Sequence, residues 1–246
     1  MKPMEKIRSA NEGAGPLRRM RNRIAAFFKD TFHPEPDEEQ LKRIAAMATE
    51  DLATASRRND LNGAKKALAK HANPNSRDYE HMTPLIHAVR RNNLEMANLL
   101  LSAGADPNME WADTRRPPLV FASSEGNVGI CKALLDAGAN PNGSNMKPGE
   151  PLSSAIILKH YGVCRLLLDA GANPDAQGYS SPPNTPMGHL KGNTRENLRI
   201  FALLISRGGS IGGISEWQRN SIGRGLAWTG EERIAFLREF GLCISQ

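Results

Sequence analysis

Thr83–Asn108 reads TPLIHAVRRNNLEMANLLLSAGADPN, and its order of caps, apolar positions and stops encodes two short helices. Thr83 caps a helix start through its hydroxyl, and Pro84 suits the first turn, where its missing N–H needs no partner. Leu85, Ala88 and Val89 recur at helical spacing. Asn92-Asn93 is a turn-favouring pair that stops this helix. A second helix from Leu94 carries Met96, Ala97, Leu99, Leu100 and Leu101 on a wide apolar face. Gly104 ends it, because glycine enters the left-handed region at low cost, and Pro107 blocks renewed helix.

The closing letters recur. AGADPN begins at Ala103, AGANPN at Ala137, AGANPD at Ala170 and a fainter KHANPN at Lys70, at intervals of 33, 34 and 33 residues. Such a period is too long for a heptad and too short for a domain. It is the mark of a stack of small units, none able to bury its apolar face alone.

Thr83–Asn108 resembles the ankyrin repeat, with its T-P-L-H start, small-residue pair, turn and leucine-rich second helix before G-A-D. PPLVFASSEGNVGICKALLDAGANPN (Pro117–Asn142) is a second copy and keeps the turn glycine at Gly126. EPLSSAIILKHYGVCRLLLDAGANPD (Glu150–Asp175) places Lys159 and His160 in that turn, and DLATASRRNDLNGAKKALAKHANPN (Asp51–Asn75) lacks T-P and has His71 at the glycine position. TPMGHLKGNTRENLRIFALLISRGGS (Thr185–Ser210) carries two extra residues before its second helix, and AWTGEERIAFLREFGL is similar to a worn terminal cap. The resemblance covers about Asp51 to Leu242. It implies an all-α solenoid of about five stacked antiparallel helix pairs with projecting loops. It also implies a non-enzymatic module that binds a macromolecular partner, mostly protein, on the concave face.

The 246 residues suffice for a sizeable core, and the 39% hydrophobic, 5% aromatic composition describes one built on Leu and Ala. The net charge of +6 is confined to residues 1–29, which hold eight basic and two acidic side chains; the remainder is neutral. A neutral repeat body argues against a large nucleic-acid footprint. No stretch approaches the ~20 apolar residues of a membrane-spanning helix. IAAFF is shorter than the ~7–15-residue core of a secretory signal. The cytoplasm is the expected location, with a secreted effector as the alternative. Residues 1–35 read as a basic, partly disordered leader. Its stretch 17–32 is amphipathic and suited to an anionic membrane surface, to a partner, or to covering the first repeat. Residues 36–246 read as the repeat domain, opened by a capping helix over Glu38–Thr49 and closed by the C-terminal cap.

No cofactor or metal is expected. The six histidines form no H-E-x-x-H pair or zinc-spaced cluster, and no P-loop, G-x-S-x-G or kinase signature is present. Cys131 and Cys164 share one slot of their second helices, the slot of Ala97, and read as buried small hydrophobes. In the family geometry, the two residues after the small pair of each first helix face the groove: Arg57 and Arg58, Arg90 and Arg91, Ser124 and Glu125, Ile157 and Leu158. The loops add Tyr79 and Glu80, Trp111, Arg115 and Arg116, Met146 and Lys147, and Tyr179. Paired arginines in register repel one another unless an anionic partner offsets them. Arg with Trp and Tyr is also hot-spot chemistry. These residues are the candidate contacts for a protein partner with an acidic segment.

Overall fold

The computed structural model describes residues 38–144, 147–148, 150–176, 186–190 and 194–209. The leader, Met146, Tyr179, Thr185, Cys243 and the C-terminal cap lie outside the described residues. Helices come in pairs: α1 Glu38–Arg58 with α2 Leu61–Ala69, α3 Pro84–Arg90 with α4 Leu94–Ser102, α5 Pro118–Ser124 with α6 Val128–Asp136, and α7 Glu150–Ile157 with α8 Tyr161–Asp169. A two-residue antiparallel hairpin, β1 Gly143–Ser144 with β2 Lys147–Pro148, decorates the loop before α7. A 3₁₀ turn over Pro186–His189 then precedes α9, Arg195–Ser206. The fifth copy therefore opens with a 3₁₀ turn where the sequence predicts a first helix. Gly188 weakens helix there.

The stretch Glu38–Thr49 and the start of the first repeat at Asp51 form one helix. No Gly or Pro stands between Glu38 and Arg58, and the helix runs through. The chain divides into two compact units within it, at Ala45/Ala46. In the first unit, Lys42–Glu38 and Arg43–Glu39 form exposed i,i+4 ion pairs, each worth at most a few tenths of a kcal/mol.

The second unit contains the repeats, and its core is written in register. Leu52, Leu85, Leu119 and Leu152 occupy one slot and are all fully buried. Ala55, Ala88, Ala122 and Ala155 fill the small slot that lets helices approach closely, and Ala67, Leu100, Leu134 and Leu167 line the second helices. Each buried leucine contributes roughly 1.5–3 kcal/mol relative to exposure. No repeat closes its own core: these residues form one cluster running through successive pairs.

The turns follow the sequence chemistry. Thr83 Oγ1 accepts from the Ile86 N–H, and Asp60, Asn93 and Asn127 cap the second helices through Gly63, Met96 and Ile130 N–H. First helices stop in the left-handed region at Asn59, Asn92, Gly126 and Lys159; second helices stop there at His71, Gly104, Gly138, Gly171 and Gly208. The repeated ANPN letters also tie neighbours together. Asn75 Nδ2 donates to Gly104 O while its Oδ1 accepts from Asp106 N–H. Asn108 repeats both bonds with Gly138 and Asn140, and Asn142 accepts from Asn173 N–H.

Candidate functional site

The loop between the first and second pairs is organised by Asp78, whose side chain is only 4% exposed. Its Oδ1 accepts from the Glu80 and Met82 N–H groups at 2.9 and 3.1 Å. Its Oδ2 lies 2.8 Å from Nε2 of His87, a buried residue of α3. Burial opposes ionisation of this carboxyl, but the hydrogen bonds from His87 and the backbone, with the His87 charge, outweigh it and hold its pKa below the usual value. The Arg57 guanidinium stands 3.8 Å away.

Around this anchor, two arginine–aromatic pairs join helix ends to loops. The Arg57 guanidinium lies 4.6 Å from the ring centre of Tyr79, which is 73% exposed. One repeat on, Arg90 lies 5.1 Å from the Trp111 ring centre, and Arg90 Nη1 also contacts Met82 Sδ. The ends of α1 and α3 thus contact the loops that follow their pairs. A guanidinium over a ring is held in place while its charge stays available.

The predicted residues do not all stand alike. Arg58, Arg90 and Arg91 are exposed and have no carboxylate partner among the described residues. Arg115 pairs with Glu110 at 3.9 Å, and Arg116 pairs with Glu150 at 2.6 Å. Both therefore have a counter-ion in the fold itself, and Arg116 also closes a backbone bridge with Trp111. Trp111 is half-buried: its Nε1–H donates to Glu80 O at 2.9 Å and its ring packs on Phe121. Trp111 is not part of the buried core, but its indole links two loops. Glu80 supplies that carbonyl and is half-buried. Glu125 is exposed, and no cation pairs with it among the described residues. Lys147 belongs to β2, whose side chains are not described, and Tyr179 lies outside the described residues.

Asp78 and His87 were not singled out by sequence reasoning, although a loop aspartate nine residues before a histidine on a T-P-L helix is a usable signal. Cys131 and Cys164 are fully buried, as their shared slot implies. Burial pushes their thiols up to about 11 and about 12, so neither is a nucleophile near neutrality. Among the described residues no group of His, Cys, Asp and Glu is arranged to hold a metal ion, and no helix is long and apolar enough to cross a membrane.

Comparison with curated proteins found no match. A family model described as ankyrin repeats (3 copies) matches residues 49–111 and 110–178, together more than half of the chain. That match stops before the Pro186–His189 turn, where the helix-pair pattern degenerates. With four helix pairs in register, left-handed stops and a core shared between neighbours, the chain belongs to the ankyrin-repeat family.

Proposed function

We propose that the chain is a non-enzymatic binding module that holds an acidic segment of a protein partner on the surface formed by its first-helix ends and loops. One observation carries this reading: Arg58, Arg90 and Arg91 are exposed without a carboxylate partner among the described residues, beside Arg57 on Tyr79. Like charges in adjacent slots destabilise the free protein, and an anionic ligand relieves them. Guanidinium groups matched to carboxylates bind them bidentately. The general habit of the family, to mediate protein–protein contact, agrees with this use of the surface. Catalysis has no support in the buried thiols or the dispersed histidines.

The test is to identify partners captured by the full chain and to measure their affinity for Arg90→Ala/Arg91→Ala. A hot-spot loss of about 2 kcal/mol, roughly thirtyfold, is expected, with a change in melting temperature far smaller than that of the folding control. Trp111→Ala is a poor probe, because it also removes a loop-to-loop hydrogen bond. Leu100→Ala is the folding control and loses about 2–5 kcal/mol of stability. If the arginine variant binds as the wild type does while Lys132→Ala, on the outer helix α6, abolishes binding, the surface is misassigned.

A further inference from the structure

Resting on that reading of the surface, we infer that it takes a bipartite, extended segment. Its acidic residues lie on the first two repeats, and an aliphatic pair about five or six residues away lies on Ile157 and Leu158. The inference comes from four copies of one slot. Read along the stack, the slot holds Arg57–Arg58, Arg90–Arg91, Ser124–Glu125 and Ile157–Leu158. Ile157 is 54% exposed and Leu158 50%.

An exposed aliphatic residue is ordinary when it stands alone. This pair stands at positions that three other copies fill with charged or polar residues, and Ile157 is β-branched at the last turn of a helix, where straight or polar side chains are favoured. Leu158 leads directly into the left-handed residue Lys159. Nothing in the helix-stop chemistry asks for either side chain.

The row is polar as well as amphipathic. Unpaired cations at the first two copies give way to Glu125, an exposed acid with no cationic partner among the described residues, and then to the aliphatic pair. A segment laid in one order meets guanidinium groups with its acids, passes Glu125 with neutral or basic residues, and buries its aliphatic side chains at the end. Laid in reverse, it puts acids near Glu125 and aliphatic groups on solvated arginines. Packed helices lie about 8–10 Å apart, so two repeats separate Arg90–Arg91 from Ile157 by roughly 16–20 Å. An extended chain covers this distance in about five or six residues.

The probe is a displayed library of random peptides about twelve residues long, twice the span required, panned against the full chain. The expected selection joins an Asp/Glu cluster to an aliphatic pair at the stated spacing. Against Ile157→Ser/Leu158→Ser the same library should yield acidic peptides without the aliphatic pair, and a wild-type-selected peptide should bind this variant roughly tenfold or more weakly. A photo-crosslinker at the aliphatic position should label the wild-type chain at residues 157–158, a readout independent of how the variant folds. Acidic peptides with no aliphatic preference from the wild type would overturn the bipartite inference and leave the acidic-segment reading standing. Aliphatic peptides without acids, or no enrichment at all, would overturn both. Crosslinks on the second helices would overturn the placement.

Discussion

Asp78 sits where a loop tip would ordinarily be solvated, yet its side chain is only 4% exposed, and both of its oxygens are held by donors, two on Oδ1 and one on Oδ2. The geometry makes a prediction with a definite sign. Its native pKa is depressed by bonds from α3 and the loop backbone, with Arg57 of α1 facing it as well. Stability from this group is therefore complete above the ordinary carboxylate range near pH 4 and is lost as pH falls through the lower native value. In urea unfolding followed from about pH 7 to about pH 2, Asp78→Asn should be less stable than wild type near neutrality by about 1–3 kcal/mol. The gap should narrow as the solution is acidified, and a constant gap would assign Asp78 a packing role only. The cysteines make the complementary case. With thiols at about 11 and about 12, Cys131 and Cys164 should label with a thiol reagent only after denaturant is added. Rapid native labelling of both would mean that α6 and α8 do not pack as described.

Each helix pair depends on two left-handed stops, and these separate conformational cost from packing. An added Cβ at Gly104, with φ +87°, meets nothing within 4 Å, so Gly104→Ala carries the backbone penalty alone, about 1–2 kcal/mol. His71 stands at the equivalent stop with φ +61°, and His71→Gly should raise stability by up to about 1 kcal/mol. Gly126 is different, because an added Cβ there would lie 2.5 Å from the His160 ring. That ring reaches back to Ser124 O from the position where Asn93 and Asn127 make side-chain caps. Melting curves of the three variants should therefore rank Gly126→Ala lowest and His71→Gly highest; equal losses at Gly104 and Gly126 would remove His160 from the account. At this scale most of the fold was legible, since caps and stops act within a turn of the residues that encode them. The continuous α1 and the 3₁₀ turn at Pro186–His189 were not, because repeat arithmetic assumes that every copy keeps both helices. The site was legible only by slot. Register placed Arg57 and Arg90 near the loop aromatics, but not which arginines have internal counter-ions: Glu110 lies in the same loop as Arg115 and Glu150 opens α7 one repeat on, and nothing in the spacing assigns them to Arg115 and Arg116.

Between repeats, the last letter of the signature matters most. A stack of helix pairs has stability equal to the sum of weak units and the interfaces between neighbours, so a residue that acts only at an interface reports on that coupling. Asn108 is exposed and contributes little core area, yet its amide makes a donor bond of 3.0 Å to Gly138 O and accepts at 2.8 Å from Asn140 N–H, both in the next repeat. Asn75 makes the same two bonds one repeat earlier, so the device repeats with the period of the fold. A net value of about 0.5–1.5 kcal/mol per bond puts Asn108→Ala at roughly 1–3 kcal/mol below wild type. Asn108→Asp keeps the acceptor and loses the donor, so it should fall between the two. The distinguishing observation is where the loss is felt. If Asn108 couples neighbours, hydrogen exchange in Asn108→Ala should accelerate together in α5 through α8, on the far side of the weakened interface, while α3 and α4 are less affected. Accelerated exchange confined to the loop at Asp106–Asn108 would mean that the amide orders its own turn and that the buried leucine rows alone couple the repeats.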